Sequence, residues 1–159
     1  ECAKTGNVYL LEGARGVERV VTSECPSGDV YHYEGPRRHE RMVKIVLASG
    51  DVRHYSGPRG CERLVCYECC NGIVQYYRGT KGEERLEKMT GPCIASAHIP
   101  FCQKSVGLFE ALFVGAIDEE RLVCVKYSDG ETWHYAGEPR YECLARKELN
   151  DGVTTEHYD

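Results

Sequence analysis

Hydrophobic and polar residues alternate strictly over short stretches of this chain. From Asp29 to Glu34 the order places Val30 and His32 on one side of an extended backbone and Tyr31 and Tyr33 on the other. Period-2 alternation rich in β-branched and aromatic residues predicts a strand. The stretch Glu40 to Leu47, beyond Gly35-Pro36-Arg37-Arg38, predicts its antiparallel partner. A helix fits poorly, because glycine or proline recurs too often to leave an uninterrupted helical run.

The same pattern then returns. Glycines stand at 6, 28, 50 and 72 and again at 130 and 152, a period of twenty-two on both sides of one interruption. A second glycine column follows seven residues later, at 13, 35, 57, 79, 115 and 137. A fixed period of this size predicts a stacked supersecondary unit. Six copies span 6–27, 28–49, 50–71, 72–93, 108–129 and 130–151, with a partial seventh at 152–159 and an insertion at 94–107. Each copy reads as two strands and two turns. Dipeptides such as Ser27-Gly28 and Asp129-Gly130 are expected to supply the positive backbone angles of a tight hairpin turn. The fold class expected is all-β: an antiparallel meander of tandem β-hairpins, with residues 1–159 as a single repeat domain.

Columns across the copies predict the packed positions. One holds Leu11, Tyr33, Tyr55, Tyr77, Phe113 and Tyr135; another holds Val20, Met42, Leu64, Leu86, Leu122 and Leu144. Together they are the expected spine, and Tyr33, Tyr55, Tyr77 and Tyr135 are the candidate binding residues on it. A Glu-Arg pair recurs just after the second turn, at 18–19, 40–41, 62–63, 84–85 and 120–121. The simplest reading is a charge ladder in which each Arg meets a Glu of the neighbouring copy; a repeated docking stripe is the functional alternative.

The insertion breaks the period and carries Ile99 and Phe101, apolar enough to anchor a partner or to fold back on the chain's own sheet. The copy after it, with Leu108 in place of the first glycine, is the most hydrophobic stretch. It is expected to form either a short helix or the most buried strand.

Composition narrows the functions. The net charge is -5, and Lys and Arg are spread through the repeats. Nucleic-acid binding is therefore not expected, because the electrostatic term that dominates it is missing. No apolar run reaches the roughly 20 residues of a spanning helix. No charged-then-apolar leader is recognisable, so a processed chain is expected, and ten cysteines favour an oxidising compartment or organelle over the cytosol.

Ten cysteines and a histidine column raise the question of chemistry. His32, His54 and His134 share a column, but row-mates two strands apart are separated by roughly 9.5 Å, whereas zinc ligands lie about 2 Å from one ion. These imidazoles are expected to be half-buried strand residues bonded to a neighbour. Cys61, Cys66, Cys69 and Cys70 include a Cys-x-x-Cys, yet residues three apart on a strand point to opposite faces. Disulfides are the stronger expectation. A Cys93–Cys102 bridge would close the insertion and a Cys2–Cys25 bridge would tie down the amino end, although spacing alone leaves connectivity open. No phosphate loop, catalytic triad or carboxylate pair stands out, and the aspartates sit mainly in turns. No cofactor and no metal site is expected.

At GDVYHYEGPRRHERMV, GDVRHYSGPRGCERLV and DGETWHYAGEPRYE the chain resembles a tandem repeat found in proteins of unicellular marine algae. It is also similar to MORN repeats, sharing Tyr33-Glu34-Gly35 but carrying Glu-Arg where those repeats continue differently. The resemblance implies an elongated twisted sheet used for protein or lipid contact, and an algal origin would suit an accessory subunit of a photosynthetic complex in the chloroplast. The function expected is thus a non-enzymatic scaffold that contacts a protein assembly, with peripheral association to a membrane complex as one setting. A lipid- or carbohydrate-binding module using the tyrosine ladder is the alternative.

Overall fold

The computed structural model describes residues 6–93, 104, 106–150 and 155–157. Among them there is no helix, and hence none long and apolar enough to cross a membrane. The strands are β1 (Val8–Glu12), β2 (Arg19–Glu24), β3 (Val30–Glu34), β4 (Arg41–Val46), β5 (Val52–Ser56), β6 (Arg63–Glu68), β7 (Val74–Arg78), β8 (Arg85–Pro92), β9 (Leu108–Val114), β10 (Arg121–Tyr127), β11 (Thr132–Ala136), β12 (Cys143–Glu148) and β13 (Thr155–His157). They lie in the sheet in the order in which they occur in the chain, as an antiparallel meander. Two compact units divide them: Glu1–Asn71 with Gly79–Glu84, and Gly72–Arg78 with Arg85–Asp159.

In the first unit, β3 and β4 form the hairpin of the second copy. Tyr31 faces Ile45 and Tyr33 faces Met42, with a one-residue slip between His32 and Tyr33. Val43 is the extra residue, which makes a β-bulge. Without it, Lys44 would stand opposite Tyr31 and Ile45 would point away, since side chains alternate along a strand. The bulge turns Met42 and Ile45, three residues apart, to the same side. It recurs in β1–β2 and β5–β6 here, and in β7–β8, β9–β10 and β11–β12 of the second unit.

The two turns of a copy differ. At the first, the Cys25 N–H donates to Asp29 O and the Gly28 N–H to Cys25 O, both at 2.9 Å. The loop thus has three residues, Pro26, Ser27 and Gly28, and only the glycine takes a positive φ, +89°. Ser27 does not share it, contrary to the expectation from the dipeptide. A three-residue loop closed by one left-handed glycine is a standard hairpin alternative to the two-residue turn. At the second turn Gly57 has φ +125°, and a Cβ there would lie 2.6 Å from Cys61 O. Only glycine fits. Three residues on, the left-handed position accepts other residues: Gly60 has φ +81°, but Arg38, Asp118 and Arg140 also take it.

In the second unit the degenerate copy is a strand, not a helix. Phe109 and Ala111 of β9 are buried against Val125 and Tyr127 of β10. The flanks of the insertion lengthen its hairpin: β8 pairs with β9 from Lys88↔Leu112 through Pro92↔Leu108, and the Cys93 N–H donates to Gly107 O at 2.8 Å. Cys93, Leu122 and Trp133 complete the core cluster, with Met89, Phe113, Tyr135 and Leu144 packed on it.

Candidate protein-interaction face

Register sorts the side chains onto two faces. In the first unit one face carries Tyr31, Tyr33, Met42, Ile45, Arg53, Tyr55, Leu64 and Tyr67; the other carries Val30, His32, Lys44, Val46, Val52, His54, Cys66 and Glu68. The two expected spine columns are direct cross-strand partners: Leu11↔Val20, Tyr33↔Met42, Tyr55↔Leu64, Tyr77↔Leu86, Phe113↔Leu122 and Tyr135↔Leu144. Burial on this face is uneven. In the second unit Ala111 and Val125 are fully covered. In the first, Ile45 is the one buried hydrophobic side chain among the described residues, while Tyr33, Met42, Tyr55 and Leu64 are all half-buried.

A second row on the same face, which sequence columns did not single out, runs through the positions two residues before the tyrosines. There Arg53 lies over its cross-strand partner Tyr67 at 5.5 Å, and in the second unit Lys147 lies over Trp133 at 4.2 Å. Such pairs shield a ring with an aliphatic stem while keeping the charge wet. Tyr33, at the middle of the first unit, has its phenol pushed up, first by burial and then by the neighbouring Tyr9 and Tyr31.

The copies are joined by polar contacts other than the expected ladder of Arg to a neighbouring copy's Glu. Arg19 and Arg41 pair with Glu12 and Glu34 of their own copies, at 2.6 and 3.6 Å, and not with a glutamate of the next. What each sends to the next copy is a hydrogen bond to the second-turn glycine carbonyl, Arg19 Nη1 to Gly35 O at 3.1 Å and Arg41 Nη1 to Gly57 O at 2.8 Å. The glutamates of the Glu-Arg column reach the other way, to the backbone of the copy before. Leu64 N–H donates to Glu84 Oε1 at 3.3 Å, Leu86 N–H to Glu120 Oε1 at 3.2 Å and Leu122 N–H to Glu142 Oε1 at 3.0 Å. Glu40 is held below the ordinary glutamate range first by its own backbone N–H and then, against the opposing effect of burial, by those of Val20 and Arg38.

Ladder length explains the clasp. In the first unit, strands of neighbouring copies pair over three residues each, as in Val46↔Val52 to Lys44↔His54, whereas strands within a copy pair over five. Backbone groups beyond the short ladder need partners, and the Glu and Arg side chains supply them. A third contact joins the loops: Arg37 donates to Gly16 O, Arg59 to Arg38 O, and Lys81 Nζ to Gly60 O at 2.8 Å. Asp51 ties successive tight turns together within its own copy. Its Oδ1 accepts from Cys70 N at 2.8 Å and its Oδ2 from Tyr67 OH at 2.8 Å, and its carboxyl is lowered to about 2, first by the Cys70 N–H.

The histidines behave as expected of half-buried strand residues: His54 Nε2 lies 2.8 Å from Glu68 and His134 Nε2 3.3 Å from Glu148. Among the described residues no three His, Cys, Asp or Glu side chains converge. Burial pushes the Cys66, Cys69 and Cys124 thiols up, which keeps them protonated and poor as nucleophiles. Ile99 and Phe101 lie outside the described residues, as do Cys102 and Cys2 of the two expected disulfides. Within the insertion, Lys104 pairs with Asp129 and, at 2.8 Å, with Glu131, and lies 4.8 Å over the Tyr127 ring. No protein-family model and no curated protein matches the chain.

Proposed function

We propose that this chain is a non-enzymatic repeat scaffold whose tyrosine-bearing face docks on a larger protein assembly. One observation carries the reading: in the first unit the Tyr33/Met42 and Tyr55/Leu64 pairs stand in register on one face, half-buried, opposite a face on which His32, Lys44, His54 and Glu68 alternate with Val30, Val46 and Val52. Rows of rings on a sheet offer area to a partner instead of enclosing a ligand, and aromatic residues are enriched where proteins meet. Copies with the same letters stand in rows about 9.5 Å apart, which suits repeated contact and brings no acid, base and nucleophile together. The raised thiols of Cys66 and Cys69 agree with a non-catalytic role.

Hydroxyl-radical footprinting of the protein, in a native preparation and after isolation, tests this reading. Docking on the tyrosine face protects Tyr33, Tyr55 and Tyr67 in the native preparation and leaves His32 and His54 labelled alike in both. Equal labelling of the three tyrosines in both samples would overturn it. Protection that vanishes on delipidation alone would replace the protein partner with a lipid.

A further inference from the structure

Taken as the docking surface proposed above, the tyrosine face of the first unit selects its occupant by the spacing of its rows. Tyr33 of β3 and Tyr55 of β5 occupy the same register position with β4 between them, and Met42 of β4 lies on the same face. Two strand spacings put the rings about 9.5 Å apart, along a line that crosses the strands. A polyproline II helix has three residues per turn and rises about 3.1 Å per residue, so every third side chain returns to one side after about 9.3 Å. Other regular segments match less well. A β-strand presents same-side residues about 6.7 Å apart, and an α-helix completes two turns in about 10.8 Å.

The chemistry of the face agrees with its spacing. The Tyr33 and Tyr55 hydroxyls have no hydrogen-bond partner among the described residues, unlike that of Tyr67, which donates to Asp51 at 2.8 Å. A polyproline II segment leaves its carbonyls without internal partners, so each phenol can donate to one. Among the described strand residues of this face in the first unit, Arg53 carries the one formal charge, and it is exposed. Arg37, Arg38 and Arg59 stand exposed in the second-turn loops that follow Tyr33 and Tyr55, while Glu40 and Glu62 of those loops are engaged by backbone N–H groups. The surroundings of the two rings are thus cationic, which calls for acidic residues beside the occupant's prolines.

We propose that the tyrosine face of the first unit takes a proline-rich segment of the partner protein in the polyproline II conformation, crossing the strands, with acidic residues between prolines three apart. One proline packs at the Tyr33 ring and the next at the Tyr55 ring, Met42 forms the floor between them, and the two phenols donate to carbonyls of the segment. Arg53 and the loop arginines meet the acidic side chains, so the contact weakens as salt rises. Proline suits such a site because its φ is fixed before binding and little freedom is lost on docking.

The synthetic peptide PEDPEDP serves as the probe, titrated into the isotope-labelled full chain and followed by its amide shifts; PEPEPDD, of the same composition but with prolines two apart, is the control. Saturable shifts are expected at Tyr33, Met42, Arg53 and Tyr55, with His32 and His54 unmoved, and the control binds more weakly. Tyr33→Phe and Tyr55→Phe each weaken binding about two- to tenfold, the worth of one neutral hydrogen bond, and leave the urea midpoint where it is, since neither hydroxyl has a partner within the fold. Arg53→Gln weakens binding and flattens its dependence on salt. Absence of saturable shifts, equal affinity for the two peptides, or indifference to all three substitutions overturns the proposal. Footprinting separates that failure from failure of the docking face itself. Tyrosines protected in the native preparation without peptide binding mean a partner of other chemistry on the same face, whereas unprotected tyrosines remove the face and the segment together.

Discussion

Glu142 Oε1 accepts the backbone N–H of Leu122, twenty residues earlier and in the preceding copy, at 3.0 Å. Leu122 is itself buried in the core cluster, so this carboxylate satisfies a backbone donor where water is scarce. Removing it with Glu142→Ala strands that N–H, at a cost of about 1–3 kcal/mol. Urea denaturation of the variant and the parent measures the difference, and Glu142→Gln, which keeps an acceptor oxygen, should recover part of it.

The spine should weaken unevenly along its length. Leu122 is 5% exposed and Leu11 is 54% exposed, although both stand in cross-strand spine pairs. Leu122→Ala is expected to cost about 2–5 kcal/mol through lost burial and the cavity left behind. Leu11→Ala, at an exposed site, should fall within about 0.5 kcal/mol of the parent. Equal costs for the two would contradict the burial difference.

The second turn separates an obligatory glycine from a tolerant one. Gly57→Ala drives a Cβ to 2.6 Å from Cys61 O at φ +125°, and should destabilise by about 1–3 kcal/mol. Gly60, at φ +81° with nothing within 4 Å of a Cβ, sits where Arg38 and Asp118 stand in other copies. Gly60→Asn should therefore change the unfolding midpoint little, because asparagine tolerates the left-handed region.

Carboxylates that tie one tight turn to the next make the fold acid-sensitive. Asp51 is lowered to about 2, first by the Cys70 N–H and then by Tyr67 and Ser49, and Asp29 is lowered first by the Ala48 N–H. A group depressed in the folded state contributes stability that is complete above its unfolded value, near pH 4, and is lost as pH falls through the folded value. Stability should thus drop between about pH 4 and 2. Asp51→Asn should be less stable than the parent at pH 7, with the gap closing toward pH 2. A gap constant over that range would show that the Asp51 charge is irrelevant.

The meander, its turns and its spine were legible because glycine columns mark every reversal and because alternation assigns Tyr33 and His32 to opposite faces from local order alone. The bulge was not, since Val43 looks like any strand valine. Its trace was nonetheless present: Met42 and Ile45, like Leu64 and Tyr67 or Leu122 and Val125, put large apolar residues three apart on a strand, a spacing that regular alternation forbids on one face. The Glu-Arg contacts escaped for another reason. Opposite charges in neighbouring columns suggest each other as partners, whereas Arg41 and Glu84 spend their bonds on backbone atoms of Gly57 and Leu64, which carry no letter in the sequence. The expected binding residues Ile99 and Phe101 lie outside the described residues, so the candidate site rests on the tyrosine columns.

The claim beneath the rest is that equal letters of successive copies stand side by side along paired strands. A two-dimensional NOE spectrum of the assigned protein reads this directly from non-hydrogen-bonded partners, whose Cα atoms lie about 4.5 Å apart. The account predicts α-proton cross-peaks between Thr22 and His32 and, one copy on, between Lys44 and His54. Contacts between residues three or four apart running through 29–47, with those cross-strand peaks missing, would contradict it.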